Sequence, residues 1–130
     1  MSDFPSDLYY TKEHEWARID GDVARIGVTQ FAVDQLGDVT MVELPEQGDE
    51  VTQNEVFGTV ESVKAVSDLF APVSGKVVAV NTALDDTPEA VNEEPYGNGW
   101  IIEVELSEPG QADSLMSAAD YASFVAEQDD

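Results

Sequence analysis

Apolar and polar residues alternate along much of this chain, and the alternation predicts short β-strands. Residues 16–28, WARIDGDVARIGV, alternate on both sides of Asp20-Gly21, a pair that is typical of a hairpin turn. Further short apolar runs follow, and turn residues separate most of them. We expect strands at 39–44, 51–52, 55–62, 67–71, 76–81 and 100–106. A succession of short strands of this kind predicts a small sandwich or barrel.

Two segments between the strands carry helix signals. Residues 29–37 begin with Thr, a good helix cap, and end with Gly, a common helix stop, with apolar residues at helical spacing between them. They predict about two turns of helix. Thr87-Pro88 places a capping residue before a proline at the first helical position, which predicts another helix start within the otherwise irregular residues 85–99.

The end of the chain predicts a longer helix. Ser117 and Asp120 have the spacing of a capping box, with Asp in place of the more usual Glu. Apolar residues recur at helical spacing around them and are expected to pack on the sheets. They are Leu115, Ala118, Ala122 and Val125. Residues 127–130 are expected to fray.

A short pattern, P-x-x-G-x-x-V, occurs twice, at residues 45–51 and at residues 72–78. Each copy is expected to form a strand, a turn and a second strand, and two such units stacked face to face would share a core. Residues 52–71 link the two copies, and Lys64 lies in this link.

Length and composition indicate one domain that spans residues 1–130. A chain of 130 residues with 42% apolar residues has enough apolar area for a modest core. It contains no apolar run long enough to cross a membrane and no basic-then-apolar start, so neither a transmembrane helix nor a secretory signal is expected. The absence of cysteine fits a cytoplasmic chain.

The formal net charge is −23, because 28 acidic residues are offset by only 5 basic ones. Such a charge repels nucleic acid and anionic membranes, so neither is an expected partner. The acids are spread along the chain, which indicates a solvated surface. Because molar salt shortens the range of charge repulsion to about 3 Å, we interpret the excess as adaptation to a salty, halophilic cytoplasm. An acidic mimic of nucleic acid, or an unmodified acidic binding module, is the alternative interpretation.

The residues that enzymes commonly use are scarce or unpatterned in this sequence. His14 is the single histidine, cysteine is absent, and there is no G-x-S-x-G, so a hydrolytic triad has no support. The carboxylates follow no EF-hand or other metal-binding spacing, and no phosphate-binding glycine loop occurs. We therefore expect no catalytic residues and no metal site, and we interpret His14 as a half-buried or surface residue.

Lys64, one of three lysines, lies in TVESVKAVSD between two predicted strands. The strands suggest a hairpin with its tip near residues 62–66, where a type I turn needs no glycine. A lysine at such a tip points into solvent. It is either an ordinary exposed lysine or one displayed for acylation, which would remove its charge and extend its stem. A cofactor tethered there would stay at high effective concentration near each site that it reaches.

Four stretches of the sequence together resemble the H proteins of the glycine cleavage system. They are YYTKEHEW, IGVTQFAVDQLGDVTMVELPEQGDEV, FGTVESVKAVSDLFAPVSGKVVAVN and VNEEPYGNGWIIEVEL, and the resemblance extends over about residues 8–125. The most specific segment is VESVKAVSDLFAPVSG. The resemblance implies a mainly β, lipoyl/biotinyl-type sandwich (a barrel-sandwich hybrid) of two small antiparallel sheets, with short helices and a C-terminal helix.

The resemblance also implies that Lys64 carries lipoic acid in amide linkage. The lipoyl-carrier pattern has an acidic residue three positions before the lysine and a more distant glycine on each side, here Glu61, Gly48 and Gly75. The two glycines belong to the repeated pattern described above. Biotin carriers share the architecture but typically flank the lysine with methionines, so the valine and alanine on either side of Lys64 disfavour biotin.

By the same resemblance, the chain is a carrier rather than an enzyme. Its expected partners are a pyridoxal-phosphate glycine decarboxylase (P protein), a tetrahydrofolate-dependent aminomethyltransferase (T protein), a flavin dihydrolipoyl dehydrogenase (L protein) and the enzyme that attaches lipoate. The disulfide of lipoate would accept an aminomethyl group and electrons, which is chemistry of the cofactor. A cytoplasmic monomer is expected. A relative that relays lipoyl groups to other enzymes is the alternative.

Members of this family fold the loaded arm into a surface cleft that protects its aminomethyl amine. That amine is cationic, so carboxylates are its expected partners, and Glu15 and Asp68 match the family's cleft acids by position. Glu13 stands where many members have a small hydroxyl residue, and an additional carboxylate there would change how the amine is held. For each of these acids the alternative is an ordinary solvated surface charge.

Overall fold

The computed structural model describes residues 7–128, which form two antiparallel sheets with short helices around them. The strands are β1 (Tyr9–Tyr10), β2 (Glu15–Asp20), β3 (Val23–Val28), β4 (Val39–Glu43), β5 (Glu50–Val51), β6 (Val56–Ser62), β7 (Val66–Phe70), β8 (Gly75–Val80) and β9 (Ile102–Leu106). The helices are α1 (Gln30–Leu36), α2 (Ala90–Glu93) and α3 (Ala118–Gln128). Short 3₁₀ helices cover Thr82–Asp85 and Pro109–Ser114.

The two sheets confirm the predicted mainly β sandwich. The longer sheet has six strands in the order β1-β2-β3-β9-β8-β5, and the shorter sheet has three in the order β4-β6-β7. Each predicted strand is present with small shifts at its ends, and the hairpin predicted at Asp20-Gly21 joins β2 to β3. Buried apolar side chains from both sheets form one core between them. They include Ala24, Ile26, Val104, Val42, Val60 and Leu69.

Both copies of the repeated pattern mark a crossing of the chain from the shorter sheet to the longer one. Residues 45–51 lead from β4 to β5, and residues 72–78 lead from β7 into β8. β5 then pairs with β8, with Glu50 opposite Lys76. Each copy contains a turn and one strand, β5 or the start of β8, and the first strand of each predicted unit, β4 or β7, ends before the copy begins. The expectation of two units stacked face to face is wrong, because each turn carries the chain across the core and the strands that it joins belong to different sheets.

The predicted caps of α1 and α3 are present. The Thr29 hydroxyl accepts a hydrogen bond from the Ala32 amide at 3.3 Å, and Gly37 ends α1 with a φ of 79°. Before α3, the Ser117 hydroxyl accepts a hydrogen bond from the Asp120 amide at 3.2 Å. These side chains satisfy amides that the first turn of a helix leaves without partners, so the helix boundaries are set locally by the sequence.

α2 is a single turn that begins later than the sequence predicts. The carbonyls of Thr87 and Pro88 accept hydrogen bonds from the amides of Ala90 and Val91 at 3.1 Å, so these residues form a turn ahead of the helix. Glu89 occupies the N-cap position, and its side chain makes no capping hydrogen bond. The helix start expected at Thr87-Pro88 is therefore wrong.

α3 packs through an aromatic cluster that the sequence did not predict. Tyr121 is fully buried, and its ring stacks on Tyr10 with the ring centroids 4.7 Å apart. Of the four apolar residues expected on this face, Val125 is buried and the other three are partly buried. The helix extends through residues 127–128, and residues 129–130, the rest of the segment expected to fray, lie outside the described part of the chain.

The surface charge has few internal partners. The ion pairs found within residues 7–128 join Arg25 to Glu103 at 2.8 Å and Arg18 to Asp7 at 3.8 Å. Since the whole chain has 28 acidic and 5 basic residues, most of its carboxylates have no basic side chain to pair with. Their mutual repulsion is then opposed mainly by dissolved salt.

Lowering the salt concentration should therefore destabilise the fold. Exposed charges interact over about 30 Å at 0.01 M salt but over only about 3 Å at 1 M. We expect the melting temperature in dilute buffer to lie at least ~5 °C below that in 1 M KCl, a difference of about 1 kcal/mol in the free energy of unfolding. Circular dichroism over a KCl series, with a NaCl series as the control for ion identity, measures this. Equal melting temperatures would contradict the halophilic interpretation.

Candidate functional site

Lys64 lies at the exposed tip of the β6–β7 hairpin, as the sequence predicts. The loop is Val63-Lys64-Ala65, and Val63 and Val66 are 72% and 66% exposed. The Ser62 amide donates to the Ala65 carbonyl at 2.8 Å. The Ser62 hydroxyl oxygen also accepts from the amides of Ala65 and Lys64, at 3.1 and 3.4 Å. These side-chain hydrogen bonds allow a tight loop to form without Gly, Asn or Pro.

The residues of the lipoylation pattern fall into two groups in the structure. Glu61 lies beside the hairpin tip, paired with Val66 across β6 and β7. Gly48 and Gly75 lie in the crossings between the sheets, at the end of the shorter sheet away from that tip. Gly48 has a φ of 100°, which favours glycine, and a β-carbon at Gly75 would collide with the Glu105 carbonyl oxygen. The two glycines are therefore required by the scaffold.

A cleft of about 620 Å³ opens next to the hairpin, between α1, β7 and the turn before β2. It starts at Ala65, the residue after Lys64. Its apolar lining is formed by Val28, Phe31, Ala32, Leu36 and Leu69. Its acidic lining is formed by Glu13, Glu15 and Asp68. The structure thus brings all three acids named from the sequence into one cavity beside the lysine.

Glu15 is buried at the base of this cleft, with only 1% of its surface exposed. Its carboxylate accepts hydrogen bonds from the Thr11 hydroxyl at 2.7 Å and from the Phe70 amide at 3.1 Å. Burial raises the pKa of Glu15 from its ordinary 4.5 to about 8, although both hydrogen bonds act to lower it, and nearby Glu13 raises it slightly further. The alternative of a solvated surface charge is therefore wrong for Glu15.

Asp68 and Glu13 differ from Glu15 because both are exposed. Asp68 stands on β7, an edge strand of the shorter sheet, opposite Thr59. Glu13 lies in the turn before β2. Water and salt reach both carboxylates, so each would attract a cation in the cleft more weakly than a buried carboxylate would.

His14 also lines the cleft, which the sequence did not indicate. It is half-buried, in agreement with its interpretation above, and its φ of 72° is unusual for a residue other than glycine. Its Nδ1 lies 2.7 Å from the Tyr121 hydroxyl, and its ring centroid lies 4.6 Å from that of Phe31. The Tyr121 hydroxyl is also 2.7 Å from the Thr29 hydroxyl, and burial raises the pKa of Tyr121 far above its ordinary value. α3 thereby supports one wall of the cleft.

Two kinds of feature are absent from the part of the chain that the structure describes. No helix within residues 7–128 is long and apolar enough to cross a membrane. In the same residues, no group of three or more His, Cys, Asp or Glu side chains is arranged to hold a metal ion.

Comparison with known proteins identifies the family of this chain. The family model described as glycine cleavage H-protein matches residues 8–128. The chain belongs to the glycine cleavage H-protein family. It is 58% identical to a glycine cleavage system H protein of Symbiobacterium thermophilum over 98% of this chain and 99% of the relative. It is 56% identical to the one of Halalkalibacterium halodurans over 98% of this chain and 100% of the relative.

A solved structure supports the same family. The glycine cleavage system H protein of Mycobacterium marinum superposes with a TM-score of 0.84, at 43% identity, over 92% of this chain and 97% of that chain. H proteins of this family are non-catalytic carriers with lipoate attached to a lysine, and they act with the P, T and L proteins. Family membership therefore confirms the predictions of a lipoyl carrier, of lipoic acid as its cofactor and of these three partners.

The residues around the cleft fit a lipoyl group by their chemistry. Lys64 offers an exposed amine for an amide bond. Apolar side chains such as Val28 and Leu69 suit a hydrocarbon chain and a disulfide ring, and Glu15 and Asp68 suit a cationic cargo. The sequence alone could not reveal this combination, because it depends on β7 and α1 enclosing one space.

Proposed function

We propose that lipoate is attached to Lys64 by an amide bond and that the cleft beside it holds the aminomethyl cargo of the glycine cleavage system. The observation that carries this proposal is the position of Lys64, on an exposed loop that adjoins a cleft with apolar and acidic walls. Lys76, in contrast, lies within β8 between Glu50 and Glu105, and Lys12 lies in the turn before β2.

The residues of the cleft have distinct roles in this proposal. Lipoate supplies a disulfide that accepts an aminomethyl group and electrons. The apolar wall, with Phe31 and Leu69, excludes water from the cargo. Glu15, held by Thr11 and Phe70, presents a buried carboxyl group to the ammonium, and Asp68 adds an exposed carboxylate.

The remaining expectations stand as part of the same proposal. The chain would act as one domain and as a monomer in the cytoplasm, meeting the P, T and L proteins in turn and the enzyme that attaches lipoate before them. Glu61, Gly48 and Gly75 would support lipoylation by shaping the scaffold and the hairpin flank, and Glu13 would join the cleft acids. The exposed hairpin supports this picture, because several enzymes must reach the same lysine.

Mass spectrometry of the protein from its native cells tests the lipoylation site. We expect one lipoyl group per chain, and peptide spectra should place it on Lys64. Lys12 and Lys76 serve as internal controls and should be unmodified, because neither has an acidic residue three positions before it, as Lys64 has in Glu61. A lipoyl group on either of them, or none on any lysine under lipoylating conditions, would refute the assignment.

A further inference from the structure

One hydrogen bond and one close approach connect the loop of Lys64 to the segment that joins α1 to β4. The Val63 amide donates to the Asp38 carbonyl at 3.2 Å. The Lys64 side chain passes beside Gly37, since its Cε lies 3.5 Å from the position that a β-carbon on Gly37 would occupy. The direction in which the lysine leaves the hairpin therefore depends on the conformation of residues 37–39.

Residues 37–39 are fixed in turn by one side chain from α2. Oδ1 of Asn92 accepts a hydrogen bond from the Val39 amide at 2.8 Å, and Nδ2 of Asn92 donates one to the Gly37 carbonyl at 2.8 Å. The side-chain amide of Asn92 thus pairs with this segment as the main chain of a neighbouring strand would. Asn92 is half-buried, so these bonds are partly shielded from water.

The orientation of the Asp38 carbonyl follows from this pairing. Asp38 is a bend that leads directly into β4, where Val39 lies opposite Ser62 of β6. Since Asn92 binds the main-chain groups before and after it, the Asp38 carbonyl faces the other way, toward the Val63 amide. A path of hydrogen bonds therefore runs from Asn92, through Asp38, to the loop that carries Lys64.

We propose that Asn92 is a positioning residue for Lys64, and that it holds the hairpin loop in the orientation in which the lipoate-attaching enzyme acylates the lysine. This inference rests on the proposed lipoylation of Lys64. In that reaction an activated acyl donor loses its leaving group, the acyl carbon bonds to Nζ, and Nζ releases a proton. A loop that is already held in one orientation loses less conformational entropy on docking than a mobile loop does.

Asn92→Asp tests this proposal with a small change in shape. The variant keeps an oxygen that accepts from the Val39 amide, but it replaces the donor to the Gly37 carbonyl with a second oxygen, which repels that carbonyl. We expect hydrogen exchange of the Val63 amide, measured by NMR, to become about tenfold faster. The Ser62 amide, which is bonded within the hairpin itself, is the internal reference and should keep its rate.

Lipoylation by a purified lipoate ligase with lipoate and ATP is the second readout. We expect kcat/KM for acylation of Lys64 to fall about three- to tenfold in Asn92→Asp, as the net loss of one hydrogen bond would give. Asn98→Asp is the matched control, because it makes the same chemical change on an exposed side chain that bonds to Glu94 at 3.3 Å. Both readouts should be unchanged in the control.

Asn92→Ala removes both hydrogen bonds and provides a second variant if the charged one folds poorly. Compared with Asn92→Asp, it should speed exchange of the Val63 amide more and lower kcat/KM for acylation more. Both are measured at a temperature where circular dichroism shows each protein folded. If the Val63 amide exchanges at the wild-type rate in these variants, the hydrogen-bond path is wrong. If its exchange is faster but the acylation rate is unchanged, the positioning role is wrong. Absence of acylation in the wild type would instead refute lipoylation at Lys64, and Val63 exchange would still decide the path.

Discussion

Lys64→Arg is expected to abolish glycine decarboxylation when the protein is reconstituted with the P, T and L proteins. Arginine keeps the positive charge, but its guanidinium stays protonated and offers no amine for acylation, so no lipoate is attached. The residue is exposed on a loop, so the melting temperature should change little. Release of CO₂ from carboxyl-labelled glycine measures turnover, which should fall to the level of a reaction without this protein.

Lys76→Arg is the matched control for this experiment. Lys76 is also exposed, but it lies within β8 opposite Glu50, where the same substitution should leave both lipoylation and turnover unchanged. Turnover above background with folded Lys64→Arg protein would show that another group carries the cargo. A loss of turnover in both variants would show that the effect of the substitution is not specific to Lys64.

The strands could be predicted because their signals are local. The β2–β3 hairpin follows from alternation around a turn with Gly21 at a φ of 63°, which glycine readily adopts. The hairpin of Lys64 lacks such turn residues, and yet it forms because Ser62 supplies the hydrogen bonds that close the loop. Its position between two apolar runs predicts the tip, while the role of Ser62 depends on hydrogen bonds that leave no pattern in the sequence.

The sequence did not predict elements that depend on residues far away along the chain. β1 is two residues long, and Tyr10 within it pairs with Met116, a residue near the other end of the chain. Asn92 likewise contacts the end of α1, and Tyr121 contacts His14, and in both pairs the residues are far apart in the sequence. Such contacts leave no periodic pattern in the sequence, because each involves one residue and a partner set by the fold.

The acids of the cleft were found by resemblance, and only the structure separates them physically. The sequence does not show which of the three acids bind cargo and which are solvated surface charges. They are Glu15, Asp68 and Glu13. In the structure, Glu15 is buried and accepts hydrogen bonds from Thr11 and from Phe70, while the other two acids are exposed. The three acids should therefore differ in how strongly they hold a cation.

The raised pKa of Glu15 should appear in the pH dependence of stability. The folded protein binds the proton of Glu15 more tightly than the unfolded chain does, so this contribution to stability is fully present below about pH 4.5. It is lost as the pH rises through about 8. Glu15→Gln keeps an acceptor for the Phe70 amide, puts an NH₂ group where Glu15 accepts from the Thr11 hydroxyl, and does not titrate. Its unfolding free energy should therefore fall less between these pH values than that of the wild type.

Glu15→Gln is also expected to shorten the lifetime of the aminomethyl cargo on lipoylated protein about tenfold at pH 9. A hydrogen bond to a charged group contributes about 1.5–3 kcal/mol, and 1.4 kcal/mol corresponds to a tenfold change. Asp68→Asn should shorten it only about two- to threefold, because salt and water screen an exposed carboxylate. Release of the cargo, followed in the absence of the T protein, gives both half-lives, and equal lipoylation of all three proteins is the control.

The pH dependence of that difference separates a charge effect from a change in packing. Below about pH 8, Glu15 without cargo is mostly protonated, and a cationic amine beside it must displace the proton in order to gain an ion pair. The ratio of wild-type to Glu15→Gln lifetimes should therefore be largest above pH 8 and approach one as the pH falls toward 4.5. A ratio that stays constant over this range would mean that Glu15 shapes the cleft without holding the amine by charge.

Equal lifetimes for the wild type and both variants would remove Glu15 and Asp68 from the cargo site and leave the assignment of Lys64 intact.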